Sequence, residues 1–240
     1  MNMKKTMIAI GVVVLSFFTA VLYAQENAGF DQELSSLRKN VIQVCGKLQS
    51  PDAKANKDAI IKGIDEIIAE WDKITKKYSE NIPEEYSKDK DWKGYFAEAA
   101  DNFSLMKARA QEEKFSRAAQ FCGLNCALFV KMHKINGRVT IADKMFDLRM
   151  NAKLFVSMAL VGNQKSMIKM MKRTDEVLEE IHNTPAPANV DKAVYDADIA
   201  QLDKIYETLK SVALKGKEKE INEGMKTFLK EFGKIYVKYI

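Results

Sequence analysis

The sequence predicts an all-α protein: two tandem antiparallel four-helix bundles, eight helices in all, behind a signal peptide. Three observations carry that expectation. Glycine (11) and proline (4) are scarce among 240 residues, and Ala, Glu, Lys, Leu, Ile and Met, which favour helix, dominate. Apolar residues recur at helical steps of three and four, with no alternating strand pattern. Four consecutive periodic segments are then followed by four more that resemble them at a nearly constant offset.

The chain opens MNMKKTMIAIGVVVLSFFTAVLYAQEN, with Lys4 and Lys5 ahead of an apolar run from Met7 to about Phe18 and small residues at Ala20 and Ala24. That order is expected of a secretory signal peptide, residues 1–24, cleaved after Ala24 although Leu22 is larger than the ideal −3 residue. The alternative is an uncleaved anchor, because the apolar stretch nearly spans a bilayer; only that segment would touch a membrane. No cysteine ends the run, so a lipid-modified N-terminus is not expected. Export leaves residues 25–240, enough for one large domain or two small ones. The expected division is a first bundle over 25–137 and a second over 138–240. Without Lys4 and Lys5 the basic count falls from 38 to 36 against 33 acids. A balance near +3, evenly mixed, gives no reason to expect nucleic acid.

Helices are expected near 31–48, 52–80, 89–111, 114–135, 141–161, 164–183, 190–214 and 217–239. Ser50-Pro51 suits a helix start, since the serine hydroxyl accepts from free amides and proline needs no donor at the first position. Pro83, Pro185 and Pro187 close the segments before them. After a break at Asn136-Gly137, Thr140-Ile-Ala-Asp143 resembles a capping box with Asp in the usual Glu position.

The two sets of four match in detail. Leu37-Arg38-Lys39-Asn40 returns as Leu148-Arg149-Met150-Asn151, and the stretch from Lys62 to Glu70 returns from Lys172 to Glu180. The third helices align Phe96, Phe103 and Met106 with Leu202, Leu209 and Val212. A duplicated four-helix unit of about 105 residues accounts for these matches.

In the last helix Ile221, Met225, Phe228, Phe232, Ile235 and Tyr239 form a bundle-facing seam. The fourth shows the same steps at Phe115, Ala119, Cys122, Cys126, Phe129 and His133. Cys122 thus matches Phe228, Cys126 matches Phe232, His133 matches Tyr239, and Cys45 falls opposite Val156. At such positions free cysteine acts as a small hydrophobe. An oxidising compartment also favours pairing, and Cys45 in the first helix could meet Cys122 or Cys126, leaving one thiol over.

The stretch from Trp92 and Phe96 through an alanine-rich third helix to Cys122 and Cys126 resembles cytochrome c′, and more loosely cytochrome b562. The resemblance implies an exported four-helix bundle with haem, two cysteines as thioethers and an adjoining histidine on iron. Here the spacing is C-x-x-x-C, Ala127 stands where the histidine belongs, and His133 lies two turns farther on. Covalent haem is therefore not expected. The alternative is a haem-containing electron-transfer or gas-binding protein with its cofactor near Cys122, Cys126 and His133; in the b562 manner His133 and a methionine on a facing helix would hold it non-covalently, with Met150 or Met158 as candidates only if the two units share a core.

Met167, Met170 and Met171 in KSMIKMMKR raise a third possibility, soft-metal (copper) handling, although they align with apolar Ala59, Ile60 and Ile61. Of the two histidines, His182 sits at a helix end, and His133 lies seven helical residues, about 10 Å, from Cys126, too far for direct proton transfer. No H-E-x-x-H site, P-loop or Gly-rich fingerprint appears. The acid pairs Asp65-Glu66, Asp175-Glu176 and Glu179-Glu180 read as solvated faces interleaved with lysine. Trp71, Trp92, Tyr95 and Phe96, bracketing the charged loop in YSENIPEEYSKDKDW, could bind a partner or ligand, but read better as the closure of one end of the first bundle. The expected product is an exported, non-enzymatic binding or interaction protein for a protein or small-molecule partner.

Overall fold

The computed structural model describes residues 29–240, and the signal-peptide expectation lies outside them. Eight α-helices follow one another with no strand among the described residues: α1 Phe30–Leu48, α2 Lys57–Tyr78, α3 Trp92–Gln111, α4 Phe115–Ile135, α5 Ile141–Leu160, α6 Gln164–His182, α7 Lys192–Lys215 and α8 Glu218–Tyr236. The protein is all-α. None of these helices is long and apolar enough to cross a membrane.

Helix α1 packs on α2, α2 on α3, α3 on α4, and α4 closes the ring on α1. Helices α5 to α8 repeat that circuit. Short connections force neighbours to run antiparallel, and each helix then buries one apolar stripe. In α8 the seam is buried at Ile221, Phe228, Phe232 and Ile235, as its spacing predicts, with Met225 packed at its edge; the helix ends at Tyr236, and Tyr239, also buried, lies past the turn that follows it. Asp65 and Asp175, equivalent in the repeat, each hold a lysine from the third helix of their own circuit: Lys107 at 2.7 Å and Lys210 at 2.8 Å. Asp175 also accepts from the Tyr206 hydroxyl at 2.7 Å, so it ties helices together instead of facing only solvent.

Two helix starts differ from expectation. Helix α2 begins at Lys57, not 52. Ser50 Oγ does accept from the Asp52 amide, but residues 51–56 form successive turns and Asn56 spends its side chain on the Asp52 carbonyl. Helix α3 begins at Trp92, not 89. The carboxylate of Asp89 accepts from the Asp91 amide and from Asn136 Nδ2, which holds the chain in a turn beside the α4–α5 connection. The capping box at the start of α5 forms with Thr140 and Asp143 in both roles.

The aromatics around that loop are buried. Trp92 packs edge-on against Phe30 and Phe96, Trp71 stacks on Phe96 at 5.1 Å, and Tyr86 joins them from a short 3-10 turn at Glu84–Tyr86. Both indole N–H groups donate to carbonyls, Trp71 to Phe96 and Trp92 to Tyr78. This cluster closes one end of the first circuit.

Candidate functional site

The α1/α4 face of the first circuit meets the α5/α8 face of the second, and the chemistry gathers there. At one end of the junction lies a buried polar network centred on Asp143, whose exposure is 0%. Its Oδ1 accepts from Arg38 Nη1 at 2.6 Å; its Oδ2 accepts from His133 Nδ1 at 2.7 Å and from the Thr140 amide and hydroxyl. Arg38 Nη2 donates to the Tyr236 hydroxyl at 2.6 Å, and its guanidinium lies over the Phe146 and Tyr236 rings. Side chains from α1, α4, α5 and α8 are thus tied at one point.

The network also sets protonation. Burial alone would raise the Asp143 carboxyl, but the His133 hydrogen bond and the Arg38 charge outweigh it and hold it down at about 2. Burial works against the Arg38 charge too; Tyr236, Cys126 and Asp143 overcome it and raise its pKa, so it stays cationic. Burial raises the Tyr236 phenol.

Beside this network the junction opens into a cleft of about 780 Å³. Its space has a sequence cause. Gly46 on α1, Ala119, Gly123 and Ala127 on α4, and Gly233 on α8 line it with almost no side chain. The three glycines sit inside helices, where each costs about 1 kcal/mol relative to alanine. A Cβ added at any of the three would meet nothing within 4 Å, so close packing does not require them. Phe146, Leu229 and Phe232 supply apolar wall, and Arg149 and Lys153 on α5 supply two cations. Among the described residues no carboxylate lines the cleft.

The cysteines fall along its first wall. Cys45 and Cys122 come together at disulfide distance, with Cα atoms 6.1 Å apart, and Cys126 is left as a buried free thiol. Burial pushes the Cys126 thiol up, with Arg38 and Arg149 partly opposing, so it is a poor nucleophile in the folded state. Native protein is expected to release nothing from 5,5′-dithiobis(2-nitrobenzoate) and to release one equivalent on unfolding without reductant. A full equivalent from native protein would show Cys126 open to the cleft.

Cys122, Cys126 and His133 do not converge on one haem-sized space. The two cysteines line the cleft and His133 does not. Its Nδ1 is committed to Asp143, and its buried Nε2 makes no hydrogen bond, with Asp31 at 4.0 Å. Thioether attachment at Cys122 and the bond to Cys45 are exclusive uses of one sulfur. Met150 lines the cleft and Met158 packs partly buried elsewhere on the core. Met167 and Met171 are buried in the core with Met170 beside them.

Sequence reasoning missed Arg38, Asp143 and Arg149, which appeared only as repeat and capping positions. It missed Asn125, fully buried on α4 with neither amide atom hydrogen-bonded. It also missed that Glu179 and His182 have the E-x-x-H spacing of di-metal bundles. In the structure His182 Nε2 pairs with Asp203 at 2.8 Å, and no group of three or more His, Cys, Asp or Glu is placed to hold a metal ion among the described residues. A second hollow of about 760 Å³, between the α2–α3 loop and the α4–α5 turn, is lined by both acids and bases, with Arg138 paired to Asp31. No protein-family model, curated protein or solved structure matches the chain.

Proposed function

We propose that the chain is an exported, non-enzymatic binding protein on a cytochrome c′-like bundle scaffold, without covalent haem, and that it holds a small apolar ligand in the cleft between its two circuits. The cleft carries this reading. Its volume lies in the range of small-molecule sites, about 300–1,000 Å³, and its lining is mostly apolar with few polar groups, as such sites are. Export is supported by the N-terminal residues and by the Cys45–Cys122 pair, since exported proteins keep disulfides.

The test is saturable binding of a neutral apolar dye, N-phenyl-1-naphthylamine, to the mature protein. One molecule is expected per chain. Gly123→Leu with Gly233→Leu should fill the cleft and abolish that binding, while the melting temperature holds or rises because leucine replaces helical glycine. Dye binding that survives both leucines, or none to the parent chain, would sink the proposal. A visible spectrum of protein exported by a host competent for cytochrome c maturation tests the rival. A Soret band surviving acid-acetone extraction would replace this reading with a haem protein.

A further inference from the structure

The geometry points to an anionic single-chain amphiphile, a fatty-acid-like carboxylate, as the ligand of the cleft, with its head group between Arg149 and Lys153 and its tail along the glycine-lined wall. This rests on the cleft being a binding site at all, and it goes further by naming the ligand's charge and shape.

Arg149 and Lys153 are one helical turn apart on α5, so both project to the same side. Like charges at that spacing repel, and neither side chain has a hydrogen bond or ion pair to any described residue. Arg149 Nε is buried and unpartnered. Burial, with Arg149 adding to it, lowers the Lys153 pKa, the mark of an ammonium in a half-dry place without its counter-charge.

The contrast with the repeat is informative. Arg38, the counterpart of Arg149, also has an unpartnered Nε, but its two Nη groups donate to Asp143, the Ala142 carbonyl and Tyr236, so its charge is neutralised by Asp143 where that of Arg149 is not. Asp143 is the third residue of α5; the third residue of α1 is Gln32, so the second arginine has no equivalent carboxylate in the chain. A carboxylate from outside would accept from both cations, and charge-assisted bonds of this kind are the strong ones. The rest of the lining carries no charged side chain, only the neutral polar groups of Gln49, Ser116, Gln120 and Tyr236 among apolar residues, so one charged head and one tail fit its chemistry. A concave space of this volume suits a small molecule better than a protein surface.

The experiment uses displacement of N-phenyl-1-naphthylamine by three ligands with the same tail: decanoate, decanol and decyltrimethylammonium. Decanoate is expected to displace the dye at one molecule per chain, decanol at least about tenfold more weakly, and the cation not measurably. Arg149→Met with Lys153→Met should reduce decanoate to the level of decanol, each displacement being read against the dye affinity of the double variant itself. Equal displacement by decanoate and decanol, or a double variant that keeps the decanoate preference, overturns the head-group assignment while the dye result leaves the cleft standing. Failure of the dye to bind, or its indifference to the two leucines, removes the cleft itself. Co-sedimentation with phosphatidylglycerol vesicles in place of displacement by monomeric decanoate would assign the cations to a membrane surface and overturn the proposal.

Discussion

Replacing Asp143 by alanine is expected to cost about 3–5 kcal/mol, the largest loss of any single substitution considered for this chain. The side chain is small, so lost packing is a minor part. The cost comes from what stays behind. Arg38, 3% exposed, would keep only the Tyr236 hydroxyl and a 3.4 Å contact to the Ala142 carbonyl, and a buried guanidinium without a counter-ion is expensive. His133 would lose the acceptor of its Nδ1, and Thr140 its capping partner. Arg38→Met alone should cost less, because His133 and Thr140 still satisfy the carboxylate. The double variant Arg38→Met/Asp143→Ala should cost less than the sum of the two singles, by about 1–3 kcal/mol of coupling.

Urea denaturation followed by circular dichroism measures all of these. A loss below about 1 kcal/mol for Asp143→Ala would mean the network does not hold the circuits together. The slope of the transition carries separate information: a shifted midpoint at constant slope means the two circuits still unfold as one, and a shallower transition means they have come apart. Acid should act as a milder version of the same variant. The folded Asp143 pKa, about 2, is depressed below its ordinary 3.8. Its contribution is therefore complete above about pH 4 and is lost as pH falls through 2, and the size of that difference corresponds to about 2 kcal/mol. Asp143→Asn should flatten this acid limb, and an unchanged limb would place the acid-labile group elsewhere.

How much of this was legible follows from the range of the interactions. The seam of α8 and the capping box at Thr140 are local, repeating every three or four residues, and a single sequence displays them directly. The second role of Asp143 is not local. Its Oδ2 meets the cap three residues away, which already explains the residue, while its Oδ1 meets an arginine 105 positions earlier. Nothing in one sequence says that a satisfied cap has a lone pair to spare. Arg38 and Arg149 look identical in the repeat, and only the third residue of each first helix, Gln32 or Asp143, separates a neutralised arginine from an open one. The cleft left a trace that could have been read: Gly46, Gly123 and Gly233 interrupt helical patterns without ending them, and a helical glycine with no turn to make marks a place where bulk is excluded. The cysteines were legible as seam positions, but Cys122 and Cys126 share a face, and the choice of partner for Cys45 depended on how far down α4 the end of α1 comes to rest.

Reducing the Cys45–Cys122 bond should lower stability by about 2–4 kcal/mol, and Cys45→Ala/Cys122→Ala should match reduction of the parent chain. The bond closes a loop of 77 residues, for which chain entropy alone gives about 4.5 kcal/mol; measured values usually fall short of that figure. The loop runs through α2 and α3, so the bond joins the first and last helices of the circuit and limits how far the unfolded chain can spread. Seam position alone would make Cys122→Ala/Cys126→Ala a modest change, but that pair also removes this bond and should approach the full cost. Cys126→Ala alone, which removes only one buried sulfur, should cost about 1 kcal/mol. Guanidinium melts of the parent and the three variants, each with and without reductant, separate the contributions. Identical midpoints for oxidised and reduced parent would show that no bond forms. A reductant effect that vanishes in Cys126→Ala would show that Cys126, not Cys122, is the partner of Cys45. Because Cys45 and Cys122 also line the cleft, reduction should weaken N-phenyl-1-naphthylamine binding in proportion to the freedom α1 gains against α4. Binding that survives reduction unchanged would place the rigidity of the cleft in the Asp143 network alone.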